Sequence, residues 1–396
     1  PLWSRGLGDV YKRQYVDSSG GGRRSLGWLG TATDHPNRSA FTQGIDGYLL
    51  SADGRLVLDG QLLMSDIEGE QGFGYRAGTQ FTPKQNYTHR LEFDYFDVQL
   101  NLNDVGFLPR SEFMTLYYSF KYRENNMPNV RERETELKFQ TKKNLDQKRI
   151  GGKLEIERDW RYEDNSKMEV ELAYRPAHWD DRNSFNNGDF KRQGTWETVL
   201  QWQSDKAKRW SFSAKTSLRE ESESGYKHSL SALVEYRPSD RYRVALKSDY
   251  SRRDAWLIYS GERNFTTVKA EEWRPKIIFD TFFSAKQQLR VQMEWVGIKA
   301  HDTNYWQVPL GGGDLLNVER PLDDNSDGFA ISDLTIQARY RWEIAPLSDL
   351  FVVYNRGGRL TTADIDDSFG SLFNNALSNP ANEYLVMKLR YRFGPS

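Results

Sequence analysis

The sequence predicts an all-β protein, an up-and-down antiparallel transmembrane β-barrel of about eighteen strands. Three observations point there. Apolar and polar positions alternate in segment after segment, as side chains do across a sheet. The connections between segments fall into a short set and a long set that lie on opposite sides. The last segment, 384–393, has Leu385, Met387, Leu389, Tyr391 and Phe393 on one face and Tyr384, Val386, Lys388, Arg390 and Arg392 on the other, and it ends on an aromatic.

Composition bounds the function. The chain has 396 residues, 55 basic and 56 acidic, a balance that argues against a nucleic-acid partner. Mean hydropathy is −0.78, and no run approaches the roughly 20 apolar residues of a membrane helix. A barrel strand needs only about 10 residues, apolar at alternate positions. The 12 Trp and 21 Tyr suit bilayer interfaces. With no cysteine, disulfide and thiolate chemistry are excluded. No cofactor is expected. Residues 1–14 resemble translated adapter sequence and are set aside. Residues 15–396 are read as one barrel domain whose upstream part is lost.

Strands are predicted at 24–33, 40–50, 55–65, 72–81, 86–98, 111–123, 131–141, 147–160 and 166–175. A second run follows at 192–203, 208–219, 225–237, 241–252, 270–283, 287–299, 330–343, 349–356 and 382–393. Alternation is cleanest where Trp210, Phe212, Ala214, Thr216 and Leu218 share a face, and where Leu334, Ile336, Ala338, Tyr340 and Trp342 do. It is weakest in 270–283, where Ile277, Ile278, Phe279, Phe282 and Phe283 occupy both faces. Short turns are predicted at Ser51–Gly54, Thr82–Gln85, Ser204–Ala207, Pro238–Asp240, Ser284–Lys286 and Ala345–Ser348. Long connections are predicted at 99–110, 176–191, 253–269, 300–329 and 357–381, all on the other side, as between periplasm and exterior. Glu124–Asn129 is the exception, a medium loop on the short side. The loops 300–329 and 357–381 are the candidates to fold in and narrow the barrel.

Asp104–Arg110 (DVGFLPR), Tyr340–Gly357 (YRWEIAPLSDLFVVYNRG) and the closing KLRYRF resemble a family of outer-membrane barrels of unknown function. Gly106, Phe107, Leu108, Pro109 and Arg110 are among the most specific positions, and the resemblance runs from about residue 15 to 393. Full-length members typically carry an N-terminal carbohydrate-binding module of the family-nine type, and the resemblance implies that this module is cut off upstream of residue 15. The resemblance implies a bacterial outer-membrane location and transfers no catalytic residues. The lipid of that membrane and the barrel-assembly machinery, engaged through the last strand, are the expected partners, with a polar solute or glycan fragment as cargo. Gly394, Pro395 and Ser396 follow Phe393, where the assembly signal usually ends on the aromatic.

If the apolar face meets lipid, the other face lines the lumen. In the first half it carries an acidic wall: Glu92, Asp94, Glu132, Glu134, Glu136, Glu155, Glu157, Asp159, Glu169 and Glu171. In the second half it carries a basic wall: Lys215, Arg219, Arg241, Arg243, Lys247, Arg290, Arg339, Arg341, Lys388, Arg390 and Arg392. Such walls select solutes in pores. The plainer reading is that ion ladders between neighbouring strands, or pairs across the lumen, satisfy buried charge. The functional readings are therefore a channel or docking barrel for polar solutes and, against it, a closed structural or surface-interaction barrel. An outer-membrane hydrolase is a third class, which no motif supports, and the chain is read as a non-enzyme. Asp323, Asn325 and Asp327 match the start of a calcium loop, but Leu334 stands where the bidentate acid belongs. The five histidines show no metal-ligand spacing. Trp179, Trp256, Tyr305 and Trp306 are loop aromatics that can stack on sugars or cap the barrel.

Overall fold

The computed structural model describes residues 9–17, 22–35, 38–103, 108–320, 327–362 and 367–393. The first strands are β1 (Asp9–Asp17), β2 (Arg23–His35), β3 (Arg38–Leu50), β4 (Leu56–Ile67), β5 (Glu70–Lys84) and β6 (Tyr87–Phe96). Then come β7 (Phe113–Met127), β8 (Val130–Asn144), β9 (Arg149–Tyr162), β10 (Lys167–Arg175), β11 (His178–Asp180) and β12 (Phe190–Arg192). The series continues with β13 (Thr195–Gln203), β14 (Trp210–Glu220), β15 (Tyr226–Ser239), β16 (Tyr242–Gly261), β17 (Asn264–Ser284) and β18 (Gln287–Gln307). It ends with β19 (Gly313–Asp314), β20 (Leu316–Val318), β21 (Phe329–Ala345), β22 (Ser348–Thr362), the helix α1 (Phe369–Ser378) and β23 (Asn382–Arg390).

Twenty of these strands belong to one hydrogen-bonded sheet. Each of the eighteen predicted segments is among them, and β1 and the short β20 complete the twenty. Consecutive strands pair antiparallel, from β1–β2 through β6–β7 and from β13–β14 through β17–β18, then β18–β21, β21–β22 and β22–β23. Residues 9–14, set aside in the sequence reading, pair with β2 in unbroken register from Asp9–Ala32 to Asp17–Arg24. The chain forms two compact units: residues 1–127, 132–158 and 173–180, and residues 128–131, 159–172 and 181–396. Among the described residues no helix is long and apolar enough to cross a membrane.

The predicted long connection 253–269 is not a loop. β16 and β17 run on to Gly261 and Asn264 and close in a tight hairpin. The register shifts between Arg253 and Trp256, and this bulge swaps the faces that sequence alternation would follow. β16, β17 and β18 have 20, 21 and 21 residues, about twice the 9–11 that cross a bilayer. The upper halves are packed on both faces. Trp256 and Phe329 flank Val268 and Ala300, while Phe190 and Val308 close on Phe265. Trp256, Tyr305 and Trp306 are therefore strand residues, and Trp306 donates to the Thr267 hydroxyl at 3.1 Å.

The predicted medium loop Glu124–Asn129 is also shorter than expected, since β7 and β8 are separated by Pro128 and Asn129 alone. Asn129 has φ +61°, and the Pro346–Leu347 turn repeats the form with Leu347 at φ +59°. Proline presets the first turn position, and the second needs the left-handed region that asparagine tolerates and leucine does not. Leu347 is also 58% exposed. Leu347→Asn is expected to raise the urea midpoint, gaining about 1 kcal/mol. At the Ser51–Arg55 turn, the Ser51 hydroxyl and then the Arg55 amide donate to Asp53 and hold its carboxyl below its usual range.

Helix α1 lies inside the predicted loop 357–381, and it corrects the expectation that this loop narrows the charged side. Ser368 caps it, accepting from the Ser371 amide at 3.1 Å. Phe369, Leu372, Phe373, Ala376 and Leu377 form its apolar stripe, packed on Trp295, Ala330 and Leu334. Register places Trp295 opposite Leu334 and Met293 opposite Ile336, so the helix covers the apolar face. Trp295 and Leu334, expected to face lipid, are each 1% exposed beneath it.

Candidate functional site

The two sheet faces are buried the wrong way round for a water-soluble protein. On the apolar face, Leu62 is 62% exposed, Leu246 50% and Met387 67%. On the polar face, the Glu155 and Asp280 side chains are only 5% and 9% exposed. A soluble sheet would forgo about 1.5–3 kcal/mol for each large apolar side chain left in water. Contiguous apolar surface of this extent marks a contact with another apolar phase.

In the first unit the acidic wall is neutralised where it is densest. Lys121 and Arg123 reach Glu134 at 2.7 and 2.8 Å, with Glu136 and Glu132 at 3.7 and 3.9 Å. Lys138 bridges Glu155 at 2.8 Å and Glu157 at 2.5 Å, and Lys153 pairs with Glu155. Arg76 lies directly across the strands from Asp94 and holds it at 2.9 Å, and Arg90 pairs with Glu92. Asp46 and Asp59 extend this wall, and as isolated acids among glycines they give little signal in the sequence. Asp46 faces Gly27 and Asp59 faces Gly78, and a Cβ on either glycine would strike the carboxylate, at 2.5 and 2.6 Å. Asp159, Glu169 and Glu171 fall in the second unit.

The basic wall of the second unit divides. Lys215 and Lys247 line a cavity of about 340 Å³ with Asp249, and Lys247 pairs with Asp249 at 2.7 Å. Arg219 stands opposite Glu197 and Lys227. Arg290, Arg339, Arg341 and Lys388 gather in a larger cavity of about 580 Å³ near the short-turn ends of β18, β21, β22 and β23. Arg241, Arg243 and Arg290 share an adjoining one of about 300 Å³. Arg243 binds Glu235 at 2.7 Å and Asp280 at 3.3 Å, and Arg290 binds Asp280 at 2.5 Å. Arg390 stands opposite Asp349, whose partner is Arg341 at 2.9 Å. The backbone amide of Arg392 donates to the Ser348 hydroxyl at 3.0 Å. Ile278, one of the apolar residues that blurred β17, fills the polar face beside Ala245.

The polar face of the first unit is partly covered by the chain that follows β6. Leu100 is 3% exposed, packed with Phe96 and Phe113 and against Leu63, Leu102 and Leu108. The Asn101 amide donates to Ser65 Oγ at 3.0 Å, and Asp97 accepts from the Phe73 and Leu100 amides, both at 2.7 Å. Gly74 is opposite Phe96 and Leu63, on the same face as Arg76.

The model of a domain of unknown function, DUF5916, matches residues 32–393. The chain belongs to this family. No curated protein matches it. Among solved structures, the DUF5916 chain is similar to the siderophore receptor PirA from Acinetobacter baumannii, at 8% identity and TM-score 0.39, covering 97% of this chain and 73% of that one. It is similar to the ferric enterobactin receptor PfeA, at 8% identity and TM-score 0.38, covering 97% and 72%. It is also similar to a bacterial polysaccharide outer membrane secretin, at 12% identity and TM-score 0.31, covering 74% and 88%.

Of the five motif residues in the DUF5916 domain, Gly106 and Phe107 lie outside the described residues, as do Asp323 and Asn325 of the calcium candidate. Leu108 of the motif packs on the Phe96–Phe113 cluster. Asp327 is bound locally instead, accepting from Ser260 Oγ at 3.3 Å and from the Thr266 hydroxyl.

Proposed function

We propose that this chain is a bacterial outer-membrane β-barrel whose charged face lines a lumen that admits or docks polar solutes. The observation that carries the reading is the inverted burial, with leucines exposed and carboxylates sheltered and paired. Lipid satisfies the first, and a narrow aqueous interior satisfies the second. The sheet then closes on itself, the short turns face the periplasm, and the last strand is the element the barrel-assembly machinery reads. A glycan fragment is the candidate cargo, through the family's carbohydrate-binding module, and no catalytic role is assigned.

The alternative of a closed barrel draws on one feature, the 97–103 segment laid across the polar face. Single-channel conductance of the refolded chain in a planar bilayer separates the two. Stable open steps, with an ion preference measurable in a salt gradient, are expected. Silence from protein shown to be folded and inserted would leave the closed barrel.

A further inference from the structure

The cavity at the short-turn end of β18, β21, β22 and β23 has more positive charge than its own acids can balance. Arg290 and Arg339 stand directly opposite each other on neighbouring strands. Like charges in that position repel and destabilise the pair, and an anion between them would relieve it. Arg290 shares the single carboxylate of Asp280 with Arg243, and Arg341 uses Asp349. Arg339 and Lys388 have no ion pair or hydrogen bond to any described residue. No carboxylate lines the cavity.

The rest of the lining is Gln288, Tyr340 and the apolar Phe351, Val353 and Val386. Phe351 lies between Arg341 and Lys388 in one row across the strands, and Val353 lies between Arg339 and Val386 in the next. Two forked or flexible cations over a phenylalanine and two valines fit a ring with one apolar face and one oxyanion substituent. Guanidinium and ammonium groups bind the oxyanion, and Phe351 stacks on the ring's C–H face.

We infer that this cavity is a binding site for anionic ring compounds, sugar acids or sugar phosphates, with Arg339 and Lys388 as the cations that hold the charge. The inference rests on the polar face being a solvent-filled interior. It names the solute class for that face and predicts anion selection at its short-turn end.

Titration calorimetry on the full chain refolded in detergent, at low salt, tests it with glucose 1-phosphate, galacturonate and neutral glucose. Both anions should bind and glucose should not, with affinity falling as salt rises. Arg339→Gln with Lys388→Gln should weaken both anions at least tenfold. Lys206→Gln with Lys208→Gln, which removes the same charge from an exposed turn on the same side, should leave them unchanged. The thermal midpoint of the single variant Arg339→Gln should hold or rise, because it relieves repulsion, whereas a cation serving only the fold would lower it. Equal binding of glucose, or unchanged anion affinity in the double variant, would overturn the site. Because binding is read without current, a silent bilayer with intact binding removes the pore and keeps the site.

Discussion

Trp295→Ala is expected to release α1 from the sheet and to destabilise its upper region by about 3–5 kcal/mol. The indole is 1% exposed, edge-on to Trp273, Phe369 and Phe373. Its Nε1 donates to Ser332 Oγ at 2.8 Å, and that hydroxyl donates to the Leu372 carbonyl at 2.7 Å, so one side chain links strand, strand and helix. Removing it leaves both a cavity and a buried hydroxyl with one partner fewer. A helix of ten residues has little stability of its own and depends on this packing. Arg356, which donates to the Leu377 carbonyl at 2.6 Å and pairs with Glu383 at 3.0 Å, would then hold only the helix end. The measurement is hydrogen exchange and limited proteolysis across 367–381, with urea unfolding for the global value. Wild-type protection of that segment in the variant would mean that the tryptophan does not anchor it.

The anchored helix also shows what the sequence could have told and did not. Phe369, Leu372, Phe373, Ala376 and Leu377 repeat at helical spacing after a Ser368 cap and before Pro380. That pattern was readable, but a count of strands and loops absorbs any stretch lacking period two. The strands themselves are legible because each crossing is a local rule, one residue out and the next in, which the segments follow closely except 270–283. Where a bulge breaks the rule, as at Arg253 and Trp256, the alternation fails, and a long hairpin reads as a loop. The charged walls were legible as composition but not as pairing. Lys121 and Lys138 neutralise several glutamates each from neighbouring strands, while Arg339 meets another arginine, and only register distinguishes these cases.

Gly72→Ala is expected to lift the 97–103 segment off the polar face and, in a conducting barrel, to raise single-channel conductance at least twofold. A Cβ on Gly72 would lie 2.2 Å from the Leu100 amide nitrogen and 2.3 Å from the Gln99 carbonyl carbon, both backbone atoms that cannot rotate away. One methyl group therefore competes with the whole segment, including the Asn101–Ser65 hydrogen bond and the burial of Leu100. Gly74 is constrained by side chains instead, since its Cβ would meet the Phe96 ring at 2.4 Å and the Leu100 side chain at 2.7 Å. The alternation Gly72-Phe73-Gly74-Tyr75 records this in sequence: bulk on the face of Leu62, nothing on the face where the segment lies. Gly47→Ala is the matched control, because a Cβ there meets nothing within 4 Å. It should leave conductance unchanged and cost no stability, since alanine loses less backbone freedom on folding. If protease finds the 97–103 segment freed in Gly72→Ala while conductance stays at the control value, this segment is not the constriction. If both variants are silent and folded, closure of the interior does not depend on the segment, and the barrel serves docking without passage.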